Sequence, residues 1–244
     1  MRTGVIIVAG GSGRRVGGSL PKQFRILGGV PVLARTINLF AAACPGAEIV
    51  AVLPEEHISF WNDLAARFDV ARHKVVAGGA ERFHSVKKGL EALKSDPELV
   101  AVQDGVRPLG SKEMIRRVVK AAAQFGAAIP VVEPVDSFRE LDAEETANRI
   151  DGAAAAAGSH AIDRRRLRIV QTPQIFRTVW LREAYNAPYR PEFTDDASVV
   201  EAAGYPVRLA EGERENLKLT TPGDFVIAEA LISAREEAED PAEK

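Results

Sequence analysis

Val5-Ile6-Ile7-Val8-Ala9-Gly10-Gly11-Ser12-Gly13-Arg14-Arg15, and shortly after it Pro21-Lys22-Gln23-Phe24, joins a short apolar strand to a basic glycine loop. Glycine lets the main chain approach an anion without an intervening side chain, and the loop amides can donate hydrogen bonds to it. Arg15 and Lys22 add charge at the same strand end, which is what binding a triphosphate requires.

Three readings compete for this loop. A Walker-type phosphate loop needs Gly-Lys-Ser or Gly-Lys-Thr at its end, whereas Gly17-Gly18-Ser19 follows and the lysine comes only at 22. A dinucleotide fingerprint is nearly met by Gly11 and Gly13. Val16 stands at its third glycine position, however, and the second strand ends Val52-Leu53-Pro54 without an acid for a ribose. The third reading is a glycine turn whose arginines are merely solvated.

With 244 residues and 46% hydrophobic content, the chain can build one sizeable α/β domain with a full core. Its 32 basic and 34 acidic side chains leave a net charge of −2, which provides no global attraction to nucleic acid or an anionic membrane. Affinity for phosphate must therefore be local. The single cysteine, Cys44, excludes an intrachain disulfide and suits a reducing cytoplasm. The run from Val5 to Ala9 is too short for a signal-peptide core or a membrane span.

Beyond the loop, apolar β-rich runs alternate with helical patterns. Strands are expected at 5–9, 49–53, 75–77, 99–103 and 127–132, and helices at 32–43, 55–68, 82–93 and 112–124. Strands that are apolar on both faces and joined by helical crossovers predict a doubly wound, mostly parallel α/β sheet. Ligands of such sheets bind beyond the carboxyl ends of the strands, where the glycine loop, Gly78-Gly79 and Asp104 fall. Asp104 follows a buried strand, so its carboxylate needs a cation partner unless it caps the next helix.

From Glu133 to Arg168 the regular period is lost, and an excursion of that length is either functional, packed on a partner or a plain surface hairpin. The chain then returns with a strand at 169–171, a helix after Thr178, a helix near 195–203 capped by Thr194-Asp195-Asp196, and a strand at 207–210. The last helix starts with Thr221 as cap and Pro222 in its first position. Residues 1–235 are expected to form a single domain and 236–244 a flexible tail.

Ala9-Gly10-Gly11-x-Gly13-x-Arg15 with Pro21-Lys22-Gln23 resembles the signature loop of nucleotidyltransferases that activate sugar or polyol phosphates. Asp104-Gly105-Val106-Arg107-Pro108, Thr172-Pro173-Gln174-Ile175-Phe176, Thr194-Asp195-Asp196-Ala197-Ser198 and Glu211-Gly212 through Asn216-Leu217-Lys218 follow in order. Together they resemble the 2-C-methyl-D-erythritol 4-phosphate cytidylyltransferase family, from about residue 4 to about residue 235. The resemblance implies a Rossmann-like nucleotidyltransferase fold with a protruding β-arm, 134–168, that mediates a homodimer. It also implies transfer of CMP from CTP to the polyol phosphate, in the non-mevalonate route to isoprenoid precursors.

The resemblance further implies roles for individual residues. Arg15, Lys22 and Lys218 would hold the triphosphate and offset charge developing in the transition state, with the amides of Ala9, Gly10, Gly11 and Gly13 assisting. Gly79, Ala80 and Ser85 would read the cytosine, and Asp104 would lie beside both substrates. Ala80 stands where the family often has an acid, which shifts base recognition toward the backbone. Arg107, Ser137, Arg164 and Thr172 would grip the polyol phosphate. Magnesium is implied with CTP, held mainly by phosphate oxygens and water, since no carboxylate cluster has metal-ligand spacing.

Ser137 and Phe138 depart from the usual threonine and aliphatic residue, which keeps a ribitol 5-phosphate cytidylyltransferase as the alternative. An NAD-dependent oxidoreductase needs the third glycine and the ribose acid that this chain lacks, and a non-catalytic nucleotide-binding module has no need of Arg15, Lys22 and Lys218 together.

Overall fold

A computed structural model describes residues 2–10, 20–142 and 158–239. Strand β1 (Thr3–Val8) lies at the centre of the sheet, flanked in parallel by β4 (Glu48–Leu53) and β6 (Leu99–Asp104). On one side β5 (Lys74–Ala77) continues the sheet beyond β4. On the other, β11 (Gln174–Arg177) runs antiparallel between β6 and β7 (Ala127–Val132). Strand β12 (Arg208–Glu211) pairs in parallel with residues 128–131 of β7. The short β10 (Ile169–Val170) pairs antiparallel with Val131 and Val132 and shares the β11 edge of β7.

Helices α1 (Val32–Ala43), α2 (Ile58–Ala65) and α4 (Lys112–Phe125) cover one face of the sheet. Helices α3 (Arg82–Ala92), α5 (Thr178–Ala184) and α6 (Asp196–Ala202) cover the other. The division follows from the two-residue period of a strand. Val5 and Ile7 of β1 face α1 and α4, while Ile6 between them faces α3. All three are fully buried, and each contributes roughly 1.5–3 kcal/mol through removal of its side chain from water. Chain order reverses at β1: it moves outward through β4 and β5, then returns through α3 to β6 on the opposite side. Val8 pairs with both Val52 and Asp104, so this reversal opens a crevice at the carboxyl ends of the strands.

The expected strands and helices are present, with instructive differences. The helix expected over 55–68 is a 3-10 turn at Glu55–His57 followed by α2, which ends at Ala65. The Thr172-Pro173-Gln174-Ile175-Phe176 motif adds a strand beyond those expected: Gln174–Arg177 forms β11, inserted antiparallel into the mostly parallel sheet. Ser111, not Asp104, caps α4: its Oγ accepts from the Met114 N–H at 2.9 Å. That helix stops at Gly126, whose φ of 94° lies in the region that favours glycine.

Asp195 caps α6 and closes a capping box with Ser198, and Thr221 Oγ1 accepts from the Asp224 N–H at 3.3 Å before α7 (Pro222–Glu239). Helix α7 runs four residues into the segment expected to be a tail, so 236–239 are helical. It packs on a hairpin of β2 (Ile26–Leu27) and β3 (Val30–Pro31) through Phe225, Ala228 and Ile232, which share a buried cluster with Leu27 of the hairpin and with Leu219 ahead of the helix. The excursion after Glu133 forms a separate hairpin, β8 (Phe138–Leu141) against β9 (Ser159–Ile162), with mostly exposed side chains. Residues 143–157, between these strands, lie outside the described residues.

Candidate active site

The ends of β1, β4, β5 and β6 are tied to one another by backbone bonds that continue past the strands. The Ala9 N–H donates to Val52 O, the Gly78 N–H to Leu53 O and the Gly105 N–H to Val8 O, at 2.9, 2.7 and 2.8 Å. Just above them lies a cavity of about 830 Å³, within the usual range for a small-molecule site. It holds Ala9, Gly10, Lys22, Gly79, Ala80, Ser85, Asp104 and Lys218, eight of the residues singled out in the sequence. Gly11, Gly13 and Arg15 lie outside the described residues.

Gln23 explains why the Pro21-Lys22-Gln23 triplet accompanies the loop. Its side chain is 1% exposed, and its Nε2 donates to Ala9 O at 2.9 Å, fastening the start of the glycine loop to the 3-10 turn Lys22–Phe24. The next residue, Phe24, is buried against Trp61 with ring centroids 6.0 Å apart. Lys22, immediately before these two anchors, is thereby placed at the cavity wall.

On the β5 side, Ser85 organises the turn from Gly78 to Glu81. Its Oγ accepts from the Gly79 N–H at 3.1 Å and donates to Glu81 O at 3.2 Å, while Lys88 Nζ donates to Gly78 O. A Cβ on Gly79 would collide with His84, so this close approach requires glycine. Glu55, Glu56 and His57 also line the cavity.

Asp104 is the electrostatic centre. Its side chain is 10% exposed and faces three cations: Lys218 Nζ at 3.1 Å and Arg107 Nε at 3.2 Å, both on Oδ2, and Arg82 Nη2 at 3.5 Å from Oδ1. Burial pushes its pKa up, but Arg82, Lys218 and Arg107 prevail and hold it at about 2. The expected cation partner is present threefold. Arg82 also reaches the fully buried Asp196, with Nη1 2.6 Å from Oδ1, and Tyr185 Oη donates to the same oxygen at 2.6 Å. Against the pull of burial, the two carboxylates raise the Arg82 pKa above its ordinary value.

The segment bearing Lys218 is strapped to the end of β6. Arg107 Nη1 donates to Asn216 O at 2.9 Å, the Leu219 N–H donates to Val106 O, and buried Asn216 donates through Nδ2 to Thr172 O. Thr172 itself is buried, its Oγ1 accepting from the Asp104 N–H at 3.1 Å. Arg107 and Thr172 thus lie against Asp104 behind the cavity. Ser137 and Arg164 lie at the base of the β8–β9 hairpin and do not line the cavity; Arg164 Nη1 donates to Val135 O.

Arg82 and Asp196 were not given roles from sequence. Arg82 and His84, in the first turn of α3, are both half-buried. The available signals were an arginine in the first turn after a Gly-Gly loop and a second aspartate beside a helix cap.

Comparison with known proteins places these features in context. The family model described as 2-C-methyl-D-erythritol 4-phosphate cytidylyltransferase matches residues 3–234. A protein of that name from Bacteroides thetaiotaomicron is 47% identical over 233 residues, covering 95% of this chain and 100% of the relative. One from Porphyromonas gingivalis is 46% identical over 94% of this chain and 97% of its own length. The crystal structure of the Thermus thermophilus protein of the same name superposes with a TM-score of 0.73 at 34% identity, covering 96% of this chain and all of that one. The 4-diphosphocytidyl-2C-methyl-D-erythritol synthase structure from Anaerococcus prevotii gives a TM-score of 0.76 at 25% identity, covering 95% and 96%. With its sheet order, strand-end cavity and nearly full-length matches in agreement, the chain belongs to the 2-C-methyl-D-erythritol 4-phosphate cytidylyltransferase family.

Proposed function

We propose that this chain transfers the cytidylyl group of CTP to the phosphate of 2-C-methyl-D-erythritol 4-phosphate. A phosphate oxygen of the polyol attacks the α-phosphorus, a new P–O bond forms, the bond to the β-phosphate breaks, and pyrophosphate leaves. The products are 4-diphosphocytidyl-2-C-methyl-D-erythritol and pyrophosphate. The observation that carries this reading is the convergence of Lys22, Lys218 and Asp104 on one cavity at the reversal point of the sheet. No general base is needed, because a phosphate monoester with a second pKa near about 6 is already largely dianionic at neutral pH. Positioning and electrostatic stabilisation supply the rate.

Lys22, with Arg15, would hold the β- and γ-phosphates, and Lys218 would meet the α-phosphate from the β6 side. The turn fastened by Ser85 would present the backbone of Gly79 and Ala80 to cytosine. Ser137, Arg164 and Thr172, with Arg107, would serve the polyol phosphate. The β8–β9 hairpin would pair two copies of the chain as a cytoplasmic homodimer.

Among the described residues no group of three or more histidine, cysteine or acidic side chains could hold a metal ion. Magnesium would be carried mainly by phosphate oxygens and water, with Asp104 alongside, and would neutralise adjacent phosphate charge. No helix of the described residues is long and apolar enough to cross a membrane.

The family model and the relatives above bear the methylerythritol name, which favours that polyol over ribitol 5-phosphate. The test is pyrophosphate release with magnesium and CTP, offering each polyol phosphate in parallel and ATP, GTP and UTP as controls. Release confined to CTP with methylerythritol phosphate supports the proposal, and preference for ribitol phosphate overturns it.

A further inference from the structure

We infer that Arg82, clamped by Asp196, is a positioning residue: it engages one oxygen of Asp104 so that the other is presented to Lys218, setting where that ammonium stands in the cavity. The inference rests on the cytidylyl-transfer reading and deepens it by tracing how the cation at the α-phosphate is fixed.

The contacts form a continuous chain. Tyr185 Oη and Arg82 Nη1 both meet Asp196 Oδ1 at 2.6 Å, Arg82 Nη2 stands 3.5 Å from Asp104 Oδ1, and Asp104 Oδ2 stands 3.1 Å from Lys218 Nζ. Asp196 is fully buried, and its Oδ2 has no hydrogen-bond partner among the described residues, so Oδ1 carries the contacts that compensate the charge. Such a carboxylate is stable only with a close cation, and this requirement fixes the guanidinium. Arg107 is pinned independently by Asn216 O. The Lys218 side chain is 46% exposed, against 12% for Arg107 and 30% for Arg82, so it is the most open of the three cations on Asp104.

Within this cluster, two carboxylates and three cations leave one positive charge in excess. Without Arg82 that excess vanishes, and Asp104 is free to turn wholly toward Lys218 and Arg107. The ammonium is then drawn toward the carboxylate and away from the triphosphate. A displacement of about 1 Å in such a group can cost on the order of 100-fold in rate.

The discriminating experiment compares Arg82→Gln with the double variant Arg82→Gln/Asp196→Asn, alongside Tyr185→Phe. Arg82→Gln strands the Asp196 charge and should lose both thermal stability and turnover. The double variant removes the stranded charge and restores the local excess of one cation, so its melting temperature should return toward wild type. Its kcat should nevertheless remain at least about tenfold low, with the KM for CTP changing less than kcat. Tyr185→Phe keeps the packing and removes one bond to Asp196, and it should lower kcat roughly two- to fivefold.

Recovery of wild-type kcat in the stable double variant, or unaltered kcat in Tyr185→Phe, overturns the positioning role. Wild-type protein inactive with CTP would instead overturn the reading on which it rests.

Discussion

Two parts of the molecule carry dense ionic contacts, and they differ in what those contacts can accomplish. At the strand ends, Asp104, Asp196, Arg82 and Arg107 are largely withdrawn from water. On the β8–β9 hairpin, His160 stands between Glu140 and Asp142, at 3.1 and 3.2 Å, and at its foot Arg165 pairs with Asp163 at 2.9 Å, all with well-exposed side chains. The distances are similar, but the surroundings are not. An exposed pair exchanges water contacts for little net gain, whereas removing one partner of a buried pair strands the other. Only the buried array can hold a side chain in a defined place, and it lies under the cavity.

The largest effect that could break this comparison is on stability. Asp196→Ala removes the anchor of Arg82 and leaves Tyr185 without its partner, and it should destabilise the fold by about 3–5 kcal/mol in urea unfolding. A loss as small as that of a surface pair would erase the distinction. Next comes rate: Lys218→Ala should lower kcat on the order of 100-fold with a nearly unchanged unfolding midpoint, as measured by pyrophosphate release.

Acid titration sharpens the contrast. The Asp104 pKa of about 2 lies below its ordinary 3.8, so its contribution to stability is fully present above pH 4 and is lost as pH falls through 2. The contribution is on the order of 2 kcal/mol. Acid unfolding of Asp104→Asn should lack that component. On the hairpin the sign is reversed. The hydrogen bond that His160 donates to Asp142 and the charge of Glu140 raise the His160 pKa above 6.5, so any stabilisation there is present below 6.5 and lost as pH rises through the raised value. Its ring resonances should titrate above 6.5 without a change in global stability. The smallest expected effect is that of Arg165→Ala, whose urea midpoint should match wild type.

Local patterns were legible in the sequence where local physics governs them. The apolar runs at 5–9, 49–53 and 99–103 could only be strands buried on both faces, and Asp195 and Thr221 announced their helix caps. Segment 174–177 was harder, because four residues following a proline carry no periodicity and its place between β6 and β7 depends on pairing across the chain. Within the site, Lys22, Lys218 and Asp104 were recognisable from their motifs. The partnership of Arg82 with Asp196 spans 114 positions, and no local pattern encodes it. Gln23 belongs to a recognisable motif, but its task, donating through Nε2 to the Ala9 carbonyl, emerges only once β1 and the 3-10 turn are adjacent.

The most direct test of the account is the turnover of Lys22→Ala with CTP, magnesium and methylerythritol 4-phosphate, measured beside its melting temperature. The expected result is a loss on the order of 100-fold in kcat/KM with the fold intact, because Lys22 lines the cavity while Gln23 and Phe24 carry the packing. Near-normal turnover in a folded variant would contradict the claim that this strand-end cavity holds the triphosphate.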